Sequence, residues 1–152
     1  MQDDLYDRDV LAWSQHQASL LRRATRGERV NDIDWAHVVE EIEDVGLSEL
    51  NALRGYLRQM MMHLLKIKAW PDSIALEHWR MAVREFQAQS EQRFAPSMRQ
   101  RVDIGALYQR ALRQLADVTL DGQPAGSLPA QCPFTLDDLL TGDPGVLEQR
   151  LN

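Results

Sequence analysis

Residues Leu57–Ile67 read Leu-Arg-Gln-Met-Met-Met-His-Leu-Leu-Lys-Ile. Placed about 100° apart around a helix, Leu57, Met60 and Leu64 share one side, and Met61, Met62 and Leu65 add apolar groups outside it. A helix apolar nearly all round is one surrounded by others, so this stretch predicts the centre of an all-α helical bundle. Arg58, His63 and Lys66 interrupt it, and it is far shorter than the roughly 20 apolar residues of a membrane span; no transmembrane segment is expected.

Upstream, the same stripe continues through Leu53, Leu50, Ile42, Val39 and Trp35. The pattern predicts one long helix over 33–69, with Asn31 or Asp32 as N-cap and Pro71 closing it. Gly46, with Ser48 as a fresh cap, predicts a bend near 46. Before it, Tyr6, Val10, Trp13, Gln17, Leu20 and Ala24 line one face of a first helix over 5–24. Asp3, Asp4 and Asp7 suit its positive pole, Arg22, Arg23 and Arg26 its negative one.

Downstream, Ala75, Trp79, Val83 and Phe86 mark a helix over 74–94. Ser97 and Gln100 read as a capping box opening another over 98–120, with Ile104, Tyr108, Ala111 and Leu115 along its stripe. Residues 121–152 form a tail: an irregular loop from Asp121 to Pro133, then short helical turns capped by Thr135 and by Asp143, with Pro144 in first position. About four main helices in one domain, 1–152, around one core is the architecture this predicts.

The chain has 152 residues, 44% hydrophobic and 26% charged, which is the composition of an ordinary globular protein. A formal charge of −6 argues against nucleic-acid binding through Arg80, Arg84, Arg93, Arg99 and Arg101, since such binding neutralises phosphates with an excess of basic groups. The lone Cys132 and the acidic N-terminus, where a secretory signal would be basic and then apolar, predict a cytoplasmic protein. No phosphate-cradling glycine loop, zinc-spaced Cys or His pair, or nucleophile elbow is present.

Two clusters are candidate sites. His37, Glu40, Glu41 and Asp44 stand at i, i+3, i+4 and i+7 and form a row on one helix side, where a divalent metal ion can sit. An antiparallel return of the first helix would set His16 and Gln17 opposite Glu41 and Ile42. The Glu-x-x-His unit of di-iron bundles is missing, and the row lies mainly opposite the apolar stripe, where carboxylates are normally solvated. The second cluster is His63 with Lys66, opposite which the Pro71 turn should bring His78, Trp79 and Arg80. His63 has the pKa range of a general base, or it orders the core by hydrogen-bonding a neighbour. Met60–Met62 read as core, or, if exposed, as an interface.

Tyr6, Asp7, Asp9, Trp13, Gln17, Leu20, Leu21 and Arg22, the Glu-Glu-Ile-Glu of residues 40–43 with Gly46, and the His-Leu-Leu-Lys of 63–66 together resemble a bacterial family, the domain-of-unknown-function 29 family. The likeness continues through Trp79, Pro96, Ser97, Tyr108, Ala111, Cys132, Pro133 and Thr135. It departs after His-Leu-Leu-Lys, where family members often have glutamine before proline and this chain has Trp70 before Pro71. The resemblance implies an all-helical fold in small bacterial proteins and carries no activity, cofactor or partner with it. The residues then favour a protein acting by association with an unknown protein partner, or with itself as a homodimer, through an apolar seam and charged faces. The alternative is a metal-dependent enzyme built on His37, Glu40, Glu41, Asp44 and His16.

Overall fold

The structure is a computed structural model that describes residues 2–152, with side chains from Leu5 onward. Its fold is all-α. In chain order it has α1 (Gln2–Arg8), α2 (Val10–Thr25), α3 (Trp35–Ala69), α4 (Leu76–Arg93), a 3-10 turn (Pro96–Arg101), α5 (Ile104–Leu115), a hairpin of β1 (Thr119–Leu120) and β2 (Gln123–Pro124), α6 (Leu136–Thr141) and α7 (Pro144–Gln149). The expected positions of the Asp3 and Asp4 side chains lie outside the described residues. No helix among the described residues is long and apolar enough to cross a membrane.

A chain of this length predicts one core, but its apolar residues gather in two clusters, and it divides into two compact units after Leu47. The second unit, Ser48–Asn152, is built on the part of α3 read as the centre. Leu53, Leu57, Met60, Met61, Leu64 and Leu65 are wholly buried. Met62 is buried as well, so the methionine run is core packing. Around them pack Trp79 and Val83 of α4 and Tyr108, Ala111 and Leu115 of α5.

The C-terminal tail also belongs to this core. Thr135 and Asp138 form the reciprocal cap that opens α6, Asp143 caps α7 through the Val146 amide, and Leu139, Leu140, Leu147 and Leu151 are buried. The Gln87 side chain donates to the carbonyls of Leu139 (3.1 Å) and Gly142 (2.8 Å), which ties α4 to the end of α6. Where an irregular loop is expected, Asp121 and Gly122 take left-handed backbone (φ 51° and 75°) and close a two-residue hairpin pairing Leu120 with Gln123. Asp-Gly is the sequence that such turns favour. The rest of the loop is stitched down. Trp70 Nε1 donates to the Gln123 carbonyl (3.0 Å), the Gly126 amide to the Ala69 carbonyl (3.0 Å) and Tyr108 Oη to the Pro129 carbonyl (2.6 Å).

The first unit holds a smaller cluster of Trp13, Leu20, Ile33 and Val38. Its first helix is interrupted: Asp9 leaves helical geometry and its carboxylate accepts the Ala12 amide at 2.9 Å, so α2 starts afresh at Val10. α3 begins at Trp35 rather than just past Asp32, because Ile33 is drawn into the cluster and Asp34 becomes the capping residue. From there the helix runs unbroken through Gly46, beside which the two units divide.

Two further expectations are corrected. The residues after Ser97 form only a 3-10 turn; Val102 is extended, and Asp103 caps α5 through the Ala106 amide (3.0 Å), so this helix spans Ile104–Leu115 rather than 98–120. More important for function, the stripe of α3 is not buried along its whole length. Leu50, Leu53 and Leu57 are 4%, 0% and 0% exposed, whereas Trp35, Val39 and Ile42 on the same stripe are 61%, 51% and 68% exposed.

Substitution separates the two halves of the stripe. Leu57→Ala, in the closed core, is expected to cost about 2–5 kcal/mol, and Ile42→Ala less than about 0.5 kcal/mol, in chemical denaturation followed by circular dichroism. An equal loss from both would contradict the burial pattern.

Candidate functional site

The polar side chains that the first unit brings together centre on Asp34. Its Oδ1 accepts the His37 amide, as a residue capping α3 should, though at a long 3.4 Å. Its Oδ2 accepts Trp13 Nε1 at 3.0 Å and lies 2.7 Å from His37 Nδ1, and its own amide donates to Gln17 Oε1 at 2.8 Å. Trp13, Gln17 and Asp34 are all buried. Burial alone would raise the Asp34 carboxyl; the bonds from His37 and Trp13 outweigh it and hold the pKa below the ordinary value.

Tyr6 closes this cluster from α1. Its ring stacks on His37 (centroids 3.9 Å apart, 18° between planes) and meets Trp13 edge-on at 4.9 Å, and its hydroxyl donates to Glu41 Oε1 at 2.6 Å. That bond, then burial, then the negative charges of Glu41, Glu40 and Asp44 push the phenol up to about 12, so it remains a donor at any physiological pH. A carboxylate, an imidazole and a phenol in one chain of contacts form the raw material of proton chemistry. Here each also fixes a helix: Asp34 caps α3, and Tyr6 holds α1 against it.

The row His37, Glu40, Glu41 and Asp44 is therefore split. His37 and Glu41 are half-buried and engaged by Asp34 and Tyr6, while Glu40 and Asp44 stand exposed, as does His16 on α2. Gln17 reaches the start of α3 and not Glu41, because α3 begins later than Asp32 and the register between α2 and α3 shifts. Among the described residues, no three His, Cys, Asp or Glu side chains are gathered so as to hold a metal ion. Sequence reasoning missed Tyr6 and Trp13 as partners and set Gln17 opposite Glu41 where it meets Asp34; the legible signal was Asp34 three residues before His37, a cap spacing.

In the second unit His63 Nδ1 lies 2.8 Å from the Gln59 carbonyl, which can only accept, so the ring donates through Nδ1. Burial first, with the charges of Lys66 and His78, lowers its pKa against the opposing effect of that bond, and it stays neutral. The ring against it is that of Phe86, at 5.4 Å, not Trp79, because the turn after Ala69 is longer than a minimal reversal. A cavity of about 430 Å³ is bounded by Leu64, Ile67, Lys68, Leu76, Arg80 and Glu148. Its cations are committed: Arg80 to Glu77 (2.6 Å) and Glu148 (3.1 Å), Lys68 to the Asn152 side chain (2.8 Å). Cys132 donates its thiol to the Phe134 carbonyl (3.5 Å), and burial pushes its pKa up, away from a reactive thiolate.

Two outcomes follow from these pairings. Asp34→Ala strands the buried Trp13 N–H and is expected to cost about 1–3 kcal/mol, read as lost amide-exchange protection in α2 and the start of α3, with Asp34→Asn recovering part of it. His63 protonates more readily unfolded, at its ordinary 6.5, than folded, so stability falls as pH drops below about 6.5. In His63→Gln that part of the pH dependence disappears from the denaturation midpoints; an unchanged slope would count against the assignment.

Comparison with known proteins agrees with the fold and adds no chemistry. No curated protein matches the chain. The crystal structure of an alpha-helical protein of unknown function from Rhodospirillum rubrum is similar, with 30% sequence identity, a TM-score of 0.68 and coverage of 96% of each chain. The family model described as a domain of unknown function, DUF29, matches residues 5–143. The chain belongs to the DUF29 family.

Proposed function

We propose that this chain acts by association with a partner protein, not by catalysis, and that it docks through the uncovered face of α3 between Trp35 and Gly46. The observation that supports this is the exposure of Trp35, Val39 and Ile42, at 61%, 51% and 68%, on positions i, i+4 and i+7 of one helix. A single exposed apolar side chain is ordinary, but a row in helical register that includes a tryptophan is the composition of an interface centre. The polar groups beneath it favour the same reading. Tyr6, Asp34, His37 and Glu41 satisfy one another and hold the helix that presents the face. The lone, half-buried Cys132 supports a cytoplasmic setting.

A photo-cross-linking residue replacing Val39 tests this in the producing cells, with the same residue at Ile74, an exposed apolar position in the other unit, as control. A defined adduct is expected from position 39 and none from 74, and Ile42→Glu should abolish the adduct from 39. Equal labelling from both positions, or none from 39, would remove the basis for the proposal.

A further inference from the structure

We infer that the cavity between the end of α3, the start of α4 and α7 binds a small organic anion, an acidic head on an apolar body. The inference is independent of the docking reading, since every residue lining the cavity belongs to the second unit. Its volume of about 430 Å³ lies in the range of about 300–1,000 Å³ that small-molecule sites occupy. Leu64, Ile67, Pro71 and Leu76 make an apolar floor, with Leu64 and Ile67 buried in the core. A second cavity, of about 250 Å³, adjoins the first across Ile67, Arg80, Gly145 and Glu148, and there the buried Val83 continues the floor.

The polar rim selects the sign of the head. Glu148, the carboxylate in the lining, is paired with Arg80 at 3.1 Å, and Arg80 is held by Glu77 as well. Lys68 beside the first cavity and Arg84 beside the second form no ion pair among the described residues, so the unbalanced charge around the floor is positive. Lys68 Nζ donates to the Asn152 side-chain oxygen at 2.8 Å; that bond takes one of its three N–H groups and balances no charge. The side-chain amide groups of Asn152 and Gln149, in the same wall, donate to nothing among the described residues. A half-buried ammonium with two amide donors near it is therefore short of acceptors. A carboxylate supplies them through charge-assisted bonds, which strengthen where the site excludes water.

The same lining argues against other ligands. A cation or a divalent metal ion meets Lys68 and Arg80 and finds no unpaired carboxylate. A neutral apolar molecule fills the floor but gives Lys68 no counter-charge, and a bare inorganic anion answers Lys68 but leaves Leu76 and Pro71 facing water. An acid with an apolar body uses both features at once.

The test titrates the full-length chain, methyl-labelled at Ile, Leu and Val, with octanoate, 1-octanol, octylammonium or inorganic phosphate and follows the methyl signals by NMR. Octanoate is expected to shift Leu64, Ile67 and Leu76 and to bind at least about tenfold more tightly than octanol, while octylammonium and phosphate leave those signals in place. In Lys68→Met, which keeps an unbranched apolar stem, octanoate should fall to the affinity of octanol, and octanol should be unaffected. Lys68→Gln repeats the measurement should the methionine variant fail to fold. Equal binding of octanoate and octanol to the unaltered chain overturns the acidic head, and phosphate binding as tight as octanoate overturns the apolar body. Octylammonium binding as tight as octanoate, or an octanoate advantage that survives both Lys68 variants, overturns the role of the rim. Shifts at Val39 in the open row of α3 as large as those at Leu64 mark indiscriminate apolar adsorption and overturn the site. No shift with octanoate overturns the inference outright.

Discussion

An α-helix of 35 residues carries its apolar stripe through about ten turns, and water leaves that stripe only where other side chains cover it. Along α3 the cover is uneven. From Leu50 to Leu65 it is complete, supplied by α4, α5 and the short C-terminal helices, and the residues there are among the most deeply buried in the chain. From Trp35 to Gly46 the stripe lies open. A hydrophobic stripe is a statement about affinity for apolar surface, and where the chain supplies none, that affinity remains available to another molecule.

The open half still needs something to keep it helical, because an isolated helical segment of this length is marginal in water. Asp34 supplies part of this by capping α3, and the buried bonds from Trp13 and Gln17 fix the capping residue itself. Tyr6, bonded to Glu41, and the buried Val38 anchor the flank of α3 beside the open stripe. Thus the polar cluster that resembles a proton-transfer array acts as the mounting of a helix. The raised pKa of Tyr6 records a neutral phenol held as a donor to Glu41, and the lowered pKa of Asp34 a carboxylate whose bonds from His37 and Trp13 outweigh its burial.

Much of this was legible in the sequence, for reasons that differ by residue. The centre at Leu57–Ile67 was readable because an all-round apolar helix has one physical outcome, burial. Thr135 and Asp143 were readable because a cap depends on residues three apart and little else. Ser97 was misleading for the complementary reason: Asp103 offers a competing cap, and the extended Val102 between them breaks the helix that Ser97 would start. Periodicity placed Trp35, Val39 and Ile42 on the stripe correctly but could not say whether anything packs on them. Likewise spacing put His37 and Glu41 on one side of α3, whereas their partners, Asp34 and Tyr6, follow from the register of the link after Thr25, which no local pattern encodes.

The acidity of the first unit has a consequence for that unit on its own. An exposed row of Trp35, Val39 and Ile42 is a hazard for self-association, and the net negative charge of the unit that carries it, with Glu43 bordering the row, opposes that association. Repulsion costs stability wherever like charges crowd, and the chain confines that cost to one unit, leaving residues 48–152 neutral overall around the larger core. Neutralising Glu43 would remove the carboxylate that borders the row and with it part of the barrier to unselective contact.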